Sequence, residues 1–322
     1  MKKYLLFLAV LSLTGLLLIA GCGTAEEAVD TLPEFEAEET TDPVESAGPV
    51  IVTDQMGREV VIESVPQRII SLSPSNTEVA FALGLGDRLV GVTEYCNYPA
   101  EALEKEIIGG FATPSIEKIV ELEPDLVLAS TIHVEDVPRL EALGIPVLVV
   151  ESATLIELYT SMSLIAEVTA VIAAGEELIA SMQQRIGAVE EVVSSIPLEE
   201  RILVYYEVYS DPLMSAGKEA FINEIITLAG GINIFEDINE SYPQISAEVV
   251  AERQPEIILY PDYHGTADMV SEAMAGRPGW ENVPAVVNGQ VFSISDDSFA
   301  RPGPRVVEAV EEAVRLFYPQ LF

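Results

Sequence analysis

The chain carries one pattern twice: SIEKIVELEPDLVL at residues 115–128 and SAEVVAERQPEIIL at residues 246–259. In both copies a serine precedes a short helical stretch that has glutamate at its second position. A proline then prevents the helix from continuing, and an acidic residue leads into an apolar run. Each copy therefore predicts a helix start, a helix stop and a buried parallel strand in the same register. A duplicated unit at this separation predicts two similar lobes, each with its own sheet.

Strands and helices alternate around both units, so we predict an α/β fold in which each lobe has a mostly parallel sheet covered on both faces. Apolar residues at helical spacing continue without proline up to Ser195 and predict a long helix near residues 173–195. No flexible linker separates this helix from the next strand. We therefore assign the N-terminal lobe to residues 49–170, the bridging helix to residues 171–197 and the C-terminal lobe to residues 198–322.

Three shorter segments predict local structure. Residues 50–62 alternate in polarity around a Met-Gly pair and predict a β-hairpin. The sequence Ser75-Asn76-Thr77-Glu78 predicts a capping box, in which Glu78 satisfies the backbone at the start of its own helix. An apolar run predicts the first strand of the second lobe at residues 202–205.

Residues 1–22 are typical of a secretory signal, with two lysines before an almost wholly apolar stretch. The closing Gly21-Cys22 is similar to a lipoprotein box, and a retained signal-anchor helix is the alternative. We predict a lipid anchor on Cys22 and an extracytoplasmic location, on the periplasmic side or the cell surface. Residues 23–48 are acidic and poor in large apolar residues, which predicts a disordered tether.

The formal net charge of −37 argues against nucleic acid or an anionic membrane surface as a partner, because both are bound through basic patches. We attribute the acidity to solubility or salt adaptation, with capture of a cationic ligand as the alternative. Sequence signatures of enzymes such as HExxH, GxSxG and the P-loop are missing, so we predict no catalytic activity.

The chain has two histidines, His133 and His264, and each follows a strand of a repeat unit. The two side chains could therefore face one another across a cleft between the lobes. A metal site needs three or four close ligands, and the sequence has no such cluster, so we predict no metal site. A haem iron can be held by a single Tyr or His, so coordination of haem by one of these residues remains an open alternative.

Aromatic residues are frequent where a predicted strand ends and a loop begins, among them Tyr98, Tyr260 and Tyr263. Open α/β sheets bind ligands beyond the carboxyl ends of their strands, and aromatic faces there suit a large, flat, partly apolar ligand. Arg301 is a candidate contact for an anion or an amide, with a surface ion pair as the alternative. The candidate ligand-binding residues are Tyr95, Phe111, Tyr206, Tyr209, Tyr242, Asp297 and Arg301.

Glu117 and Glu248 occupy the same position in the two repeat units, at a helix N-terminus, where the helix dipole favours a negative charge. Helix stabilisation explains each glutamate separately but not their match, for which common ancestry is one explanation. Matched acids on two lobes also suit docking to a partner that has paired basic pockets.

Several motifs resemble those of the substrate-binding lipoproteins of ABC importers for cobalamin, ferric siderophores and haem. They are RIISLSPSNTE at residues 68–78, GVTEYCNYP at residues 91–99, the two repeat units, AGKE at residues 216–219 and RPGPR at residues 301–305. The similarity covers nearly everything from about residue 50. It implies two Rossmann-like lobes bridged by one long helix, with a ligand cleft between them. It also implies delivery of the ligand to a permease that is driven by a cytoplasmic ATPase.

Within this family the chain is most similar to cobalamin-binding members. That resemblance implies ligand contacts from Tyr95, Phe111, Tyr242 and Asp297, and it implies permease docking by Glu117 and Glu248. Ferric siderophores are often anionic and favour clustered arginines, of which the chain has few, so we rank a corrinoid first, a ferric siderophore second and haem third. We predict a monomeric binding protein without a cofactor. A metal-dependent enzyme and a surface adhesion module on the same scaffold are the alternatives.

Overall fold

The computed structural model describes residues 48–262, 273–274 and 276–322. The predicted signal with Cys22 and nearly all of the predicted tether lie outside these ranges, and so do Tyr263 and His264. Within the described part of the chain, no helix is both long enough and apolar enough to cross a membrane.

The described residues form strands and helices that alternate along most of the chain. The strands are β1 (Val50–Thr53), β2 (Glu59–Ile62), β3 (Ile69–Ser71), β4 (Leu89–Val92), β5 (Glu106–Ile107), β6 (Leu126–Ala129), β7 (Val147–Val149), β8 (Leu203–Ser210), β9 (Leu213–Ser215), β10 (Ile232–Asn233), β11 (Ile257–Pro261) and β12 (Val291–Ile294). The helices are α1 (Pro74–Ala82), α2 (Ile116–Glu121), α3 (Val137–Ala142), α4 (Leu155–Val168), α5 (Ile172–Val193), α6 (Phe221–Leu228), α7 (Ala247–Arg253), α8 (Pro284–Val287), α9 (Asp296–Ala300) and α10 (Val306–Phe317).

Two five-stranded sheets organise the two lobes. The first sheet has the order β5-β4-β3-β6-β7, and all of its strands are parallel. The second has the parallel order β10-β8-β11-β12, with β9 antiparallel to β8. The hairpin β1-β2 forms as predicted and is not paired as a strand with either sheet. The predicted fold class, two α/β lobes with mostly parallel sheets, is therefore confirmed.

The two repeat units have the same register in the structure. In β6, Leu126 and Leu128 face the main apolar core, whereas Val127 and Ala129 face a separate core on the outer side of the first sheet. The equivalent residues of β11 have the same arrangement: Ile257 and Leu259 in the main core, Ile258 and Tyr260 in the outer core of the second lobe. Because both faces of each strand are covered, the strands are apolar throughout rather than alternating.

Helix α5 has 22 residues, which corresponds to a length of about 33 Å, and packs against α4, α6 and α10. Its buried side chains lie on one face, as the apolar spacing predicts: Met182, Ile186, Val189 and Val193. The main core to which they belong also contains the inner faces of both sheets. The lobes are thus joined by a packed helix and a common core, which restricts how far they can move apart.

Two local predictions are wrong. Helix α1 begins at Pro74 with Ser73 at the N-cap position, so Ser75 and Glu78 lie inside the helix and form no capping box. Strand β8 is predicted at residues 202–205 but extends much further, because β9 pairs with it in the antiparallel direction and prolongs the sheet.

Candidate functional site

Two adjoining cavities lie between the lobes, one of about 690 Å³ and one of about 900 Å³. Glu94 and Tyr95 from the first lobe and Arg301 from the second lobe line both of them. Because they share these walls, the two cavities form a single depression, which we call the interlobe cleft. The volume of each cavity is in the range of sites that bind small organic ligands.

Three of the predicted aromatic residues meet in the interlobe cleft. Tyr95 follows β4, Phe111 precedes α2 and Tyr242 precedes α7, and all three line the cavity of about 690 Å³. Tyr95 and Tyr242 are 55% and 45% exposed, and Phe111 is half-buried. The rings come from both lobes, so a ligand between them would contact apolar faces on two sides.

Two other predicted aromatic residues lie elsewhere. Tyr206 is inside the prolonged strand β8 and on the face that packs into the main core, where its side chain is buried. Tyr209 is exposed near the end of β8 but is not among the described residues that line either cavity. The geometry therefore leaves Tyr206 and Tyr209 outside the interlobe cleft.

A polar cluster joins the lobes at the cleft. The guanidinium of Arg301 lies 2.6 Å from Oδ1 of Asp297 and donates from Nη1 to Oδ1 of Asn97 at 2.6 Å. Nδ2 of Asn97 in turn donates to Oδ2 of Asp297 at 2.8 Å. Asn97 belongs to the first lobe and its two partners to the second, so this triad holds Arg301 in place. Sequence reasoning missed Asn97 as a site residue, although it lies two residues after Tyr95 in the same loop.

The walls of the interlobe cleft are acidic. The carboxylates that line the two cavities are Glu94, Glu151, Asp262, Asp296 and Asp297. Among the described lining residues, Arg301 is the only cationic side chain. Burial raises the pKa of the Asp296 carboxyl, Asp297 raises it further and Arg301 opposes both. The cleft therefore has a negative potential that favours neutral or cationic ligands over anionic ones.

A second link between the lobes pairs Glu78 of α1 with Arg305 beside α10. Nε and Nη2 of Arg305 donate to the two carboxylate oxygens at 2.9 and 2.5 Å, and the side chains are 13% and 2% exposed for Arg305 and Glu78. The guanidinium also lies 4.1 Å from the ring centre of Tyr98. Burial raises the pKa of Glu78, and the hydrogen bond from Arg305 opposes that rise. The sequence predicted a capping role for Glu78 and did not predict its ion pair with Arg305.

His133 does not face the cleft. Its side chain is 1% exposed, and its Nε2 lies 2.7 Å from the carbonyl oxygen of Phe111. Across residues 48–262 and the described residues beyond them, no group of three or more His, Cys, Asp and Glu side chains is arranged to hold a metal ion.

Glu117 and Glu248 lie exposed in the first turns of α2 and α7. Ser115 and Ser246 cap these helices, and each Oγ accepts a hydrogen bond from the backbone N–H three residues later. Hydrogen bonds from its own backbone N–H and from Ser246 lower the pKa of the Glu248 carboxyl. Both repeat units therefore present a carboxylate on a capped helix start, one in each lobe.

Comparison with known proteins gives matches over most of the chain. A sequence profile for the family described as periplasmic binding protein matches residues 69–298. The chain is 32% identical to YvrC, an uncharacterized ABC transporter substrate-binding lipoprotein of Bacillus subtilis, over 100% of this chain and 99% of that protein. It is also 32% identical to a vitamin B12-binding protein of Vibrio cholerae, over 76% of this chain and 87% of that protein.

Solved structures with the same fold include proteins for more than one ligand. The periplasmic vitamin B12 binding protein BtuF of Vibrio cholerae has a TM-score of 0.69 at 31% identity and covers 79% of this chain and 98% of its own. The periplasmic heme-binding protein RhuT of Roseiflexus sp. RS-1 has a TM-score of 0.71 at 26% identity and covers 80% of this chain and 99% of its own.

Proposed function

This chain belongs to the periplasmic binding protein family, and from that premise we propose that it is the substrate-binding component of an ABC importer that carries a corrinoid in the interlobe cleft. The relatives named above include an ABC transporter lipoprotein and a vitamin B12-binding protein. We propose the same division of labour here: the chain captures the ligand and performs no chemistry on it, without a cofactor of its own.

The observation that carries the proposal is the convergence of Tyr95, Phe111 and Tyr242, from both lobes, on one cavity of about 690 Å³. A corrinoid has a broad macrocycle with apolar faces and a rim of amide side chains. Aromatic rings suit those faces, and the polar walls near Asp297 and Arg301 suit the amides.

The charge of the interlobe cleft supports a corrinoid over the other ligands of this family. Haem carries propionate groups and ferric siderophores are often anionic, so both would meet carboxylates and the already paired Arg301. Cobinamide is cationic, and cobalamin carries no excess of negative charge. A ferric siderophore is therefore the second candidate and haem the third, the latter supported by the likeness to a heme-binding protein.

We further propose that lipid on Cys22 anchors the protein outside the cytoplasm, and that Glu117 and Glu248 dock it to a permease with its ATPase. The exposure of both glutamates, one on each lobe, supports this part of the proposal. A monomer is sufficient for such docking, because each lobe supplies one contact.

Titration of the purified protein with cobalamin, cobinamide, haem and several ferric chelates tests the ligand. We expect both corrinoids to bind with a Kd of about 1 μM or tighter, and haem and the anionic chelates to bind at least about tenfold more weakly. Tighter binding of haem or of a ferric chelate would replace the corrinoid as the ligand, and conversion of any bound compound into a product would contradict a pure binding role.

A further inference from the structure

We propose that His133 is a positioning residue of the interlobe cleft, whose imidazole holds the loop that carries Phe111 so that the Phe111 ring forms part of the cavity wall. This role of His133 refines the proposed corrinoid binding, and the affinity measurement below rests on that proposed function. His133 itself does not reach the cleft, since its side chain is buried in the first lobe.

The hydrogen bonds of His133 determine which ring nitrogen carries the proton. The backbone N–H of Ser130 donates to Nδ1 at 3.0 Å, and Nε2 lies 2.7 Å from the carbonyl oxygen of Phe111. A backbone N–H can only donate, and a carbonyl oxygen can only accept. Together the two bonds require a neutral imidazole with a bare Nδ1 and a proton on Nε2, which donates to Phe111.

The two rings are also in contact. Their centroids lie 5.4 Å apart with an interplanar angle of 88°, the edge-to-face arrangement that aromatic pairs favour. His133 therefore holds Phe111 at two points, the main-chain carbonyl and the side chain. A residue held in this way loses the freedom to turn its ring out of the cavity wall.

The Phe111 loop needs such support because its own backbone is permissive. Gly109 and Gly110 precede Phe111, and Gly109 has a φ of +125°, a conformation that glycine adopts far more readily than other residues. A single bridge between Gly109 and Pro114 closes the base of the loop. The backbone N–H of Thr113 donates to the carbonyl oxygen of Gly110 at 3.3 Å and closes the turn that contains Phe111, while the carbonyl and the ring of Phe111 are both in contact with His133.

His133 is well placed to give that support. It ends the 3₁₀ turn Thr131–His133 directly after β6, whose residues are all buried between two cores. Its acceptance of the Ser130 N–H is the second half of a capping box, so the imidazole is anchored to its own turn before it contacts the loop. The position of Phe111 is thus tied to a fully buried strand of the first lobe.

The variants His133→Gln and His133→Glu form a matched pair that separates the two bonds. Both side chains can accept the Ser130 N–H as capping-box residues, but only glutamine has an N–H to donate to the carbonyl oxygen of Phe111. The comparison is made at a pH high enough to ionise the glutamate, because a protonated carboxyl could donate through its O–H. We expect His133→Gln to keep cobalamin and cobinamide affinity within about twofold of the wild type, and His133→Glu to weaken it about fivefold.

The same pair in a Phe111→Ala background tests whether His133 acts through Phe111. We expect the difference between the Gln and Glu variants to vanish there, because the ring they position is gone. A difference that persists in this background would overturn the proposal, as would an equal loss of affinity in both variants. If the Glu variant does not fold, His133→Leu takes its place with the same expected affinities, and because leucine lacks both bonds the comparison with His133→Gln then tests the two bonds together.

A measurement without ligand keeps this inference separate from the corrinoid proposal. Nitrogen-15 NMR of the ligand-free wild-type protein reports which imidazole nitrogen is protonated, and we expect the proton on Nε2. A proton on Nδ1 would overturn the role of His133 whatever the ligand is. Failure of both corrinoids to bind, with the proton found on Nε2, would contradict the proposed ligand and leave the positioning role supported.

Discussion

The ion pair between Glu78 and Arg305 is the residue-level feature on which we expect stability to depend most. Both side chains are largely buried, so each has lost most of its hydration. Two hydrogen bonds and the ring of Tyr98 compensate the charges. Removal of one partner leaves the other charge buried and uncompensated, which costs more than the pair itself contributes.

We expect Glu78→Gln to lower the free energy of unfolding by about 3 kcal/mol, measured by urea denaturation at neutral pH. The double variant Glu78→Gln/Arg305→Met is the control, and it should cost less than the sum of the two single changes because no charge is left unpaired. A loss below about 0.5 kcal/mol in the single variant would mean that the pair behaves like an exposed one.

The exposed rings of the interlobe cleft give a second prediction. Tyr95→Ala and Tyr242→Ala should each weaken corrinoid binding by about 1–3 kcal/mol, because each removes an aromatic ring that would contact an apolar face of the ligand. Calorimetric titration measures the change. Tyr209→Ala is the matched control, since Tyr209 is equally exposed but lines neither cavity among the described residues, and its affinity should stay at the wild-type value. If Tyr95→Ala and Tyr242→Ala both bind the corrinoid with wild-type affinity, the ligand does not contact these two rings.

At the level of elements, the duplication places the same short helix at the same position in each lobe. Helices α2 and α7 both begin after a capping serine and both present a glutamate in the first turn. Each also has an exposed glutamate further along, Glu121 in the first and Glu252 in the second. These two are equivalent to one another and serve as internal controls.

We expect Glu117→Ala with Glu248→Ala to abolish uptake by cells while ligand affinity stays within about threefold, because the helix starts lie outside the cleft walls. Glu121→Ala with Glu252→Ala removes the same total charge from the same helices and should leave uptake unchanged. A large loss of ligand affinity in the Glu117/Glu248 double variant would mean that these carboxylates contact the ligand. Normal uptake by that variant would mean that they do not dock the protein to the permease.

At the level of the whole molecule, the main core is shared by the inner faces of both sheets and by α5. A common core couples the lobes, so we expect the folded part to unfold in one cooperative transition. Trp280, the single tryptophan, lies buried in the outer core of the second lobe and reports on that lobe alone.

Leu128→Ala, in the first sheet, tests this coupling. We expect it to lower the free energy of unfolding by about 3 kcal/mol and to shift the Trp280 fluorescence transition and the circular-dichroism transition together. Leu103→Ala, in the same lobe but on the surface, should change stability by less than about 0.5 kcal/mol. An unshifted fluorescence transition in Leu128→Ala would show that the lobes unfold independently.

Local sequence patterns were sufficient to predict much of this architecture and some of the residues that line the interlobe cleft. The register of the two repeat units and the apolar face of α5 follow from spacing that a short stretch of chain contains. The proximity of Tyr95 and Phe111 follows from a general property of parallel sheets, whose strand ends lie along one edge, whereas Tyr242 meets them because the second lobe packs against the first.

Only the tertiary structure decided the partners of single side chains. Glu78 binds Arg305, 227 residues later in the chain, rather than its own helix. Tyr206 is buried because it lies beside Leu259 of β11 on the face that packs into the main core, and His133 turns to Phe111 instead of to the cleft. Periodicity in a sequence specifies which face of an element is apolar, because burial repeats with the geometry of the backbone. It does not specify which distant group will meet a given polar atom, because that depends on how the elements pack together.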